Sequence, residues 1–202
     1  MKTIEKIVLA SSNQGKLREF KHLLQGAQFE IIPQSEFNTP EAIEDGLSFV
    51  ENSIIKARNA AEHSGLPALA DDSGIEVDYL NGEPGIYSAR YAGEGSSAQA
   101  NIDKLLAAME GVEAQYRTAR FRCCIVFVRH PKDPSPLIAD ASWEGIILNK
   151  KSGTKGFGYD PVFYVPTHQC SSAELDPDEK SKISHRGLAL KMMLSHLKSL
   201  TS

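Results

Sequence analysis

Four stretches of the chain carry side chains that could do chemistry. Residues 11–16, SSNQGK, lie between an apolar run and a helical pattern, so backbone N–H groups and the positive end of a helix would converge where a phosphate could sit, with Lys16 adding a full charge. The stretch is not a Walker A loop, because Ala10 stands where the first glycine belongs and Leu17 replaces the metal-binding hydroxyl. A helix cap by Ser12 or Asn13 accounts for the same letters. Residues 70–74, ADDSG, place Asp71 and Asp72 side by side at a strand end, where they would point in opposite directions, one able to hold a metal and the other a water or a fold contact. Mg²⁺ takes one or two protein carboxylates plus phosphate oxygens, so Glu44 from an acidic loop could complete such a site; ordinary turn chemistry is the alternative. In residues 155–161, KGFGYDP, Phe157 could lie against a flat ring and Asp160 accept a hydrogen bond from it, or the segment is a tight turn around a packed aromatic. Residues 180–186, KSKISHR, put cations and a histidine on the last helix, where Lys182 would neighbour Arg186 and Lys180 would neighbour Ser184, or they form a solvated basic face.

The elements that must position these groups follow from periodicity. Ile4, Ile7, Val8, Leu9 and Ala10 form a strand, and a helix with Leu17, Phe20, Leu23 and Leu24 follows Gly15. Phe29, Ile31 and Ile32 give a second strand, and residues 34–46 a polar loop with Glu41, Glu44 and Asp45. Ser48 with Glu51 makes a capping box for a helix that buries Val50, Ile54, Ala57 and Ala61 and ends at Gly65. Its other face carries Asn52, Lys56, Asn59 and His63, a stripe that could be solvated or could face a polyanion. The runs on either side of ADDSG read as two strands flanking an acidic turn, residues 81–95 as an ordered glycine-rich loop, and residues 97–110 as a helix ended by Gly111. Residues 119–130 form a central strand joined to one over residues 137–147, and a short strand spans residues 162–165. Asp176, Pro177 and Glu179 open a single last helix with Ile183, Leu190, Leu194 and Leu197 inside.

With 202 residues, 41% hydrophobic, 24% charged and a net charge of −4, the chain has the make-up of one ordinary globular unit rather than a disordered or fibrous one. The acidic balance disfavours a nucleic-acid partner, and no 18-residue apolar stretch suggests a membrane span or anchor, so a cytoplasmic location is expected. Three cysteines lack disulfide or zinc spacing; Cys123 and Cys124 read as reduced core residues and Cys170 as a loop residue or a nucleophile. No GxSxG nucleophile elbow is present. Strands and helices alternate without a repeat, giving an α/β or α+β class around one mixed sheet.

Six separated motifs then carry a resemblance: SSNQGK, the segment from Glu44 to Asn52 with Lys56, LADDSG, PGIYSARYAG, GFGYDP and the final K-x-x-x-S-H-R. In this order they closely resemble the RdgB-like inosine triphosphate pyrophosphatase family. The resemblance implies hydrolysis of non-standard purine nucleoside triphosphates (ITP, dITP, XTP) to the monophosphate and pyrophosphate, which cleanses the nucleotide pool, with Mg²⁺, one or more ions, as cofactor. It implies an α/β fold, an elongated two-lobed single domain over residues 1–202 around a central mixed β-sheet, with the nucleotide cleft between the lobes and assembly as a homodimer. Asp72 matches the general base, and Glu44 with Asp72 the metal ligands. Ser11, Ser12, Asn13, Gln14, Gly15 and Lys16 match the triphosphate-binding loop, with Lys56 nearby. Ser73, Phe157, Gly158, Tyr159, Asp160, Lys180, His185 and Arg186 match positions around the nucleotide, Phe157 stacking the purine while Asp160, His185 and Arg186 read its edge. Two rival readings are a pyrophosphatase for modified pyrimidine nucleotides and a nucleotide-binding protein without turnover.

Overall fold

The computed structural model describes residues 5–24 and 29–201 of the chain; Ile4, expected in the first strand, lies outside them. The described elements run β1 (Lys6–Ala10), α1 (Gln14–Leu23), β2 (Glu30–Pro33), α2 (Phe49–Ser64), β3 (Ala68–Val77), α3 (Ala98–Ala108), β4 (Thr118–Val128), β5 (Leu137–Ile147), β6 (Phe163–Val165), β7 (Cys170–Ser171), α4 (Pro177–Ile183) and α5 (His185–Thr201). The strands form one mixed sheet in the order β2-β1-β3-β4-β5-β6-β7, with β1 parallel to β2 and β3, and β6 antiparallel to β5 and β7. The α/β class with a mixed sheet is therefore as the sequence led us to expect.

The chain divides into two compact units. The first holds Met1–Asp72, Cys123–Ala141 and Arg186–Ser202, and the second holds Ser73–Arg122 and Ser142–His185. In the first unit, the period of two along the strands sorts side chains into two apolar layers. Ile7, Leu9, Leu69, Cys123, Ile125 and Phe127 pack with Phe20 of α1 and with Ala189, Leu190 and Met193 of α5. Val8, Ala10, Ala68, Ala70, Cys124, Val126 and Val128 pack with Ala57, Ala60 and Ala61 of α2. The alanines on both sides of this second layer let α2 approach the sheet closely, and Ser53 Oγ seals the contact by donating to the Cys124 carbonyl at 2.8 Å. In the second unit, Ile75, Val77, Ile102, Leu105, Met109, Phe121, Trp143 and Phe163 make a single core.

Two expectations are corrected. The ADDSG segment is not a turn between two strands: β3 runs without interruption from Ala68 to Val77, and every residue from Ala68 to Asp72 is buried. Asp and Ser disfavour strands locally, but partners for each carboxylate override that preference. Nor is there one last helix. Ser184, at φ −72° and ψ 157°, is extended, ending α4 and preceding α5, so Lys182 and Arg186 are not neighbours on one helical face, while Ser184 N–H still bonds the Lys180 carbonyl at 2.9 Å. Serine with extended backbone is a favoured residue just before a helix, which makes a new start at His185 cheaper than continuation.

The second unit also contains a buried cation that no motif announced. Arg117, 3% exposed, gives Nε to the Ile147 carbonyl at 2.7 Å, Nη1 to Met109 at 2.6 Å and Nη2 to Leu148 at 2.9 Å. It thereby ties the C-terminal end of α3, whose carbonyls favour a positive charge, to the end of β5. Replacing Arg117 with methionine keeps the length and leaves these acceptors buried without donors, and urea unfolding should show a loss of more than about 3 kcal/mol. A loss below about 1 kcal/mol would mean that the guanidinium does not hold these ends together.

Candidate active site

In the first unit, the site is built from the consecutive aspartates of β3. Side chains alternate, so Asp71 leaves on the Leu69 side and Asp72 on the Ala70 side. Asp71 receives Lys16 Nζ of α1 at 2.9 Å and Arg186 Nη2 of α5 at 3.4 Å. Arg186, 2% exposed, is also paired with Glu19 of α1. Burial alone would raise the Asp71 pKa, but Lys16, Arg186 and Lys56 outweigh it and hold the carboxyl far below the usual range.

Asp72 faces α2. Its Oδ1 accepts from Lys56 Nζ at 2.8 Å, and the same ammonium donates to Glu44 Oε2 at 2.7 Å. Burial raises the Asp72 pKa above that of a free aspartate; Lys56 and Lys16 pull it down without cancelling the rise, and Glu44 adds to it. On Lys56, burial works to lower the pKa, but Asp72, Asp71 and Glu44 prevail and raise it, so the group stays an ammonium. Glu44 and Asp72 already converge on one cation, and two carboxylates are the donor set that Mg²⁺ takes from a protein when phosphate oxygens supply the rest. The two residues therefore fit a divalent ion. Among the described residues no cluster of three or more His, Cys, Asp or Glu side chains forms an all-protein metal cage.

The polar stripe of α2 turns out to hold the acidic loop rather than face open solvent. Asn59 Nδ2 donates to the Pro40 carbonyl at 2.8 Å, Lys56 to Glu44, Asn52 Oδ1 accepts from Gly46 N–H at 2.9 Å, and Glu51 Oε2 accepts from Leu47 N–H at 3.0 Å. Positions 52, 56 and 59 recur at helical spacing, so one face of α2 grips the loop along its length, with Glu51 beside Asn52 holding Leu47. His63 turns back onto the Asn59 carbonyl. The expected capping box is present, with Ser48 Oγ donating to Glu51 Oε2 at 2.7 Å and accepting from Glu51 N–H.

At the start of α1, Asn13 is the cap: its Oδ1 accepts from Gly15 N–H at 2.9 Å and Lys16 N–H at 3.1 Å. Ser11 Oγ accepts from Asn13 N–H, and Ser12 Oγ donates to Glu41 of the acidic loop at 3.0 Å. Gln14 is exposed and Gly15 buried. Residues 11–16, Glu44, Lys56, Asp72 and Arg186 all belong to the first unit.

Ser73, Phe157, Gly158, Tyr159, Asp160, Lys180 and His185 belong to the second. There Asp160, 2% exposed, organises the GFGYDP loop: Oδ2 accepts from Phe157 N–H at 2.8 Å and Lys180 Nζ at 2.7 Å, and Oδ1 from Ser172 Oγ at 2.8 Å. Lys180 Nζ also lies 5.4 Å from the centre of the Phe157 ring. Tyr159 is anchored through its hydroxyl to the Ser88 carbonyl at 2.8 Å. The His185 imidazole stacks on Phe121, with centroids 4.8 Å apart and planes at 13°. Reading the sequence missed Glu19, Ser172, Phe121 and the helix-loop bond of Asn52; only the i, i+4 spacing of Asn52 and Lys56 could have pointed to one of them.

With this geometry in hand, comparison with known proteins is decisive. The family model described as Ham1 family matches residues 7–196. The chain belongs to the Ham1 family. It is 57% identical over 199 residues to the dITP/XTP pyrophosphatase of Vibrio parahaemolyticus serotype O3:K6, covering 98% of this chain and 100% of the relative. It is 60% identical over 192 residues to the dITP/XTP pyrophosphatase of Thioalkalivibrio sulfidiphilus, covering 95% and 98%. A HAM1 protein from Coxiella burnetii has the same fold, with a TM-score of 0.90 at 49% identity over 96% of this chain and 99% of that one. The resemblance drawn from six motifs thus holds over nearly the whole chain.

Gly156 shows how tightly the Ham1 chain builds the aromatic loop. It has φ +76°, and a Cβ there would lie 2.0 Å from Asp160 Oδ2, where no side-chain atom fits. A Gly156→Ala variant should displace the carboxylate, cost about 1–3 kcal/mol in urea unfolding and raise the KM for ITP. An unchanged KM would separate the Asp160–Lys180 pair from substrate binding.

Proposed function

We propose that this chain hydrolyses dITP, ITP and XTP to the monophosphate and pyrophosphate, cleansing the nucleotide pool. Its relatives at 50–60% identity over nearly full length bear the name dITP/XTP pyrophosphatase, and a buried Asp72 bonded to Lys56, which also reaches Glu44, supports the chemistry.

In this reading Glu44 and Asp72 would hold Mg²⁺, which when bound supplies positive charge against the polyphosphate oxygens. Lys16 and Lys56 bind the triphosphate with residues 11–16, exchanging carboxylate partners for phosphate. The carboxylate of Asp72 accepts a proton from, or orients, the water that attacks the α-phosphorus. Phe157 stacks the purine, on a loop whose shape Asp160 fixes through Phe157 N–H, Lys180 and Ser172. Asp160, His185 and Arg186 read the base edge: hypoxanthine and xanthine offer an acceptor at C6 that an arginine satisfies, whereas adenine would turn an amino donor toward it. For Arg186, that contact replaces Glu19 or Asp71 with the purine oxygen.

The reading extends to one nucleotide-hydrolysing domain over residues 1–202, cytoplasmic residence and homodimeric assembly, as the resemblance implies. No described helix is long and apolar enough to cross a membrane.

Product analysis tests this reading. Purified protein with Mg²⁺ and ITP, dITP, XTP, GTP, ATP or dUTP in turn should release pyrophosphate and the monophosphate from the first three and little from the others. Orthophosphate release would overturn the bond assignment, turnover confined to dUTP would move the substrate to pyrimidines, and ITP binding without product would leave only a nucleotide-binding protein.

A further inference from the structure

Among the buried polar side chains of the first unit, Asn52 has no role in the reading above. It is 1% exposed, one helical turn before Lys56 on the same face of α2. Its amide divides between two partners: Oδ1 accepts from Gly46 N–H at 2.9 Å, two residues after Glu44, and Nδ2 donates to Asp72 Oδ2 at 3.4 Å. Lys56 occupies the other oxygen of Asp72 and reaches Glu44 itself. A Cβ on Gly46 would lie 2.7 Å from Asn52 Oδ1 and 2.6 Å from Glu51 Cβ, so the loop approaches as closely as it does only because residue 46 is glycine. An amide is the side chain that can accept from a backbone N–H with one end and donate to a carboxylate with the other; aspartate lacks the donor and lysine the acceptor.

We propose that Asn52 is a positioning residue, which orients the Asp72 carboxylate and locks the Glu44 loop in register with it through one amide. This rests on the assignment of Asp72 and Glu44 to catalysis. Lys56 supplies charge to both carboxylates; Asn52 supplies direction, because its amide is held by the helix and by Gly46 and leaves Asp72 one orientation of its carboxylate plane. Outer hydrogen-bond partners of this kind typically contribute tenfold to a hundredfold in activity or metal affinity.

Four variants test it by steady-state kinetics with ITP and Mg²⁺: Asn52→Ala, Asn52→Asp, Asn59→Ala and Asp72→Asn. Asn59 grips the same loop at Pro40 without touching Asp72, so it reports what loop anchorage alone is worth. The proposal expects Asn52→Ala to lower kcat about tenfold to a hundredfold with KM changed far less, and Mn²⁺ affinity in the presence of pyrophosphate, followed by electron paramagnetic resonance, to weaken. Asn52→Asp is nearly isosteric and keeps an acceptor for Gly46 but turns a carboxylate instead of a donor toward Asp72, so it too should lose kcat even if the alanine variant folds poorly. Asn59→Ala should stay within about threefold of wild type, well short of that range. If both Asn52 variants match Asn59→Ala while Asp72→Asn is inactive, the positioning role is overturned and the catalytic assignment stands. If Asp72→Asn retains turnover, the assignment itself fails and the positioning role falls with it.

Discussion

Two consecutive aspartates within a strand must leave it on opposite faces, and in the interior of a sheet each then needs its charge matched. The rest of the first unit is arranged around that constraint. Asp71 enters the layer packed by α1 and α5, and those helices bring Lys16 and Arg186 to it; Asp72 enters the layer packed by α2, and that helix brings Lys56 and Asn52. Each carboxylate recruits a cation from a different element, so the charges that would meet a triphosphate are held in place before substrate arrives. A buried pair is poor evidence of net stability, because desolvation of both ions offsets their attraction, but removing one partner leaves the other stranded at a cost of about 3–5 kcal/mol. Such an arrangement keeps its members in position, which is the property catalysis needs.

The difference between the two aspartates follows from their neighbours. Asp71, between two cations, is held as a carboxylate far below its usual range and makes a poor base. Asp72 is also buried, but it shares its ammonium with Glu44, and its pKa moves up. The second unit solves its own problem similarly: Asp160 spends both oxygens on its own loop, Lys180 and Ser172, which fixes where Phe157 stands.

Much of this was legible in the sequence because it is local. The capping box at Ser48, the Asn13 or Ser12 cap, the glycine at the end of α2 and the opposite directions of Asp71 and Asp72 all follow from short-range rules. The family was legible too, through six motifs no one of which was specific. What could not be read was whatever depends on distant partners. ADDSG reads as a turn until Lys16, Lys56 and Arg186 are known to lie beside it; the break at Ser184 competes with an uninterrupted helical pattern; and the stripe on α2 looks solvated until the acidic loop is laid against it. Glu19 and Ser172 carry no local signal at all, since their partners lie 167 and 12 residues away.

The most direct test of this division of labour is a side-by-side measurement of urea stability and ITP turnover for Asp71→Asn and Asp72→Asn. The account predicts that Asp72→Asn unfolds near the wild-type midpoint but loses kcat by about a hundredfold or more, whereas Asp71→Asn loses about 3 kcal/mol or more by taking the carboxylate from Lys16 and leaving the buried Arg186 with Glu19 alone. The reverse pattern, with Asp71→Asn stable and inactive and Asp72→Asn unstable yet turning over, would contradict it.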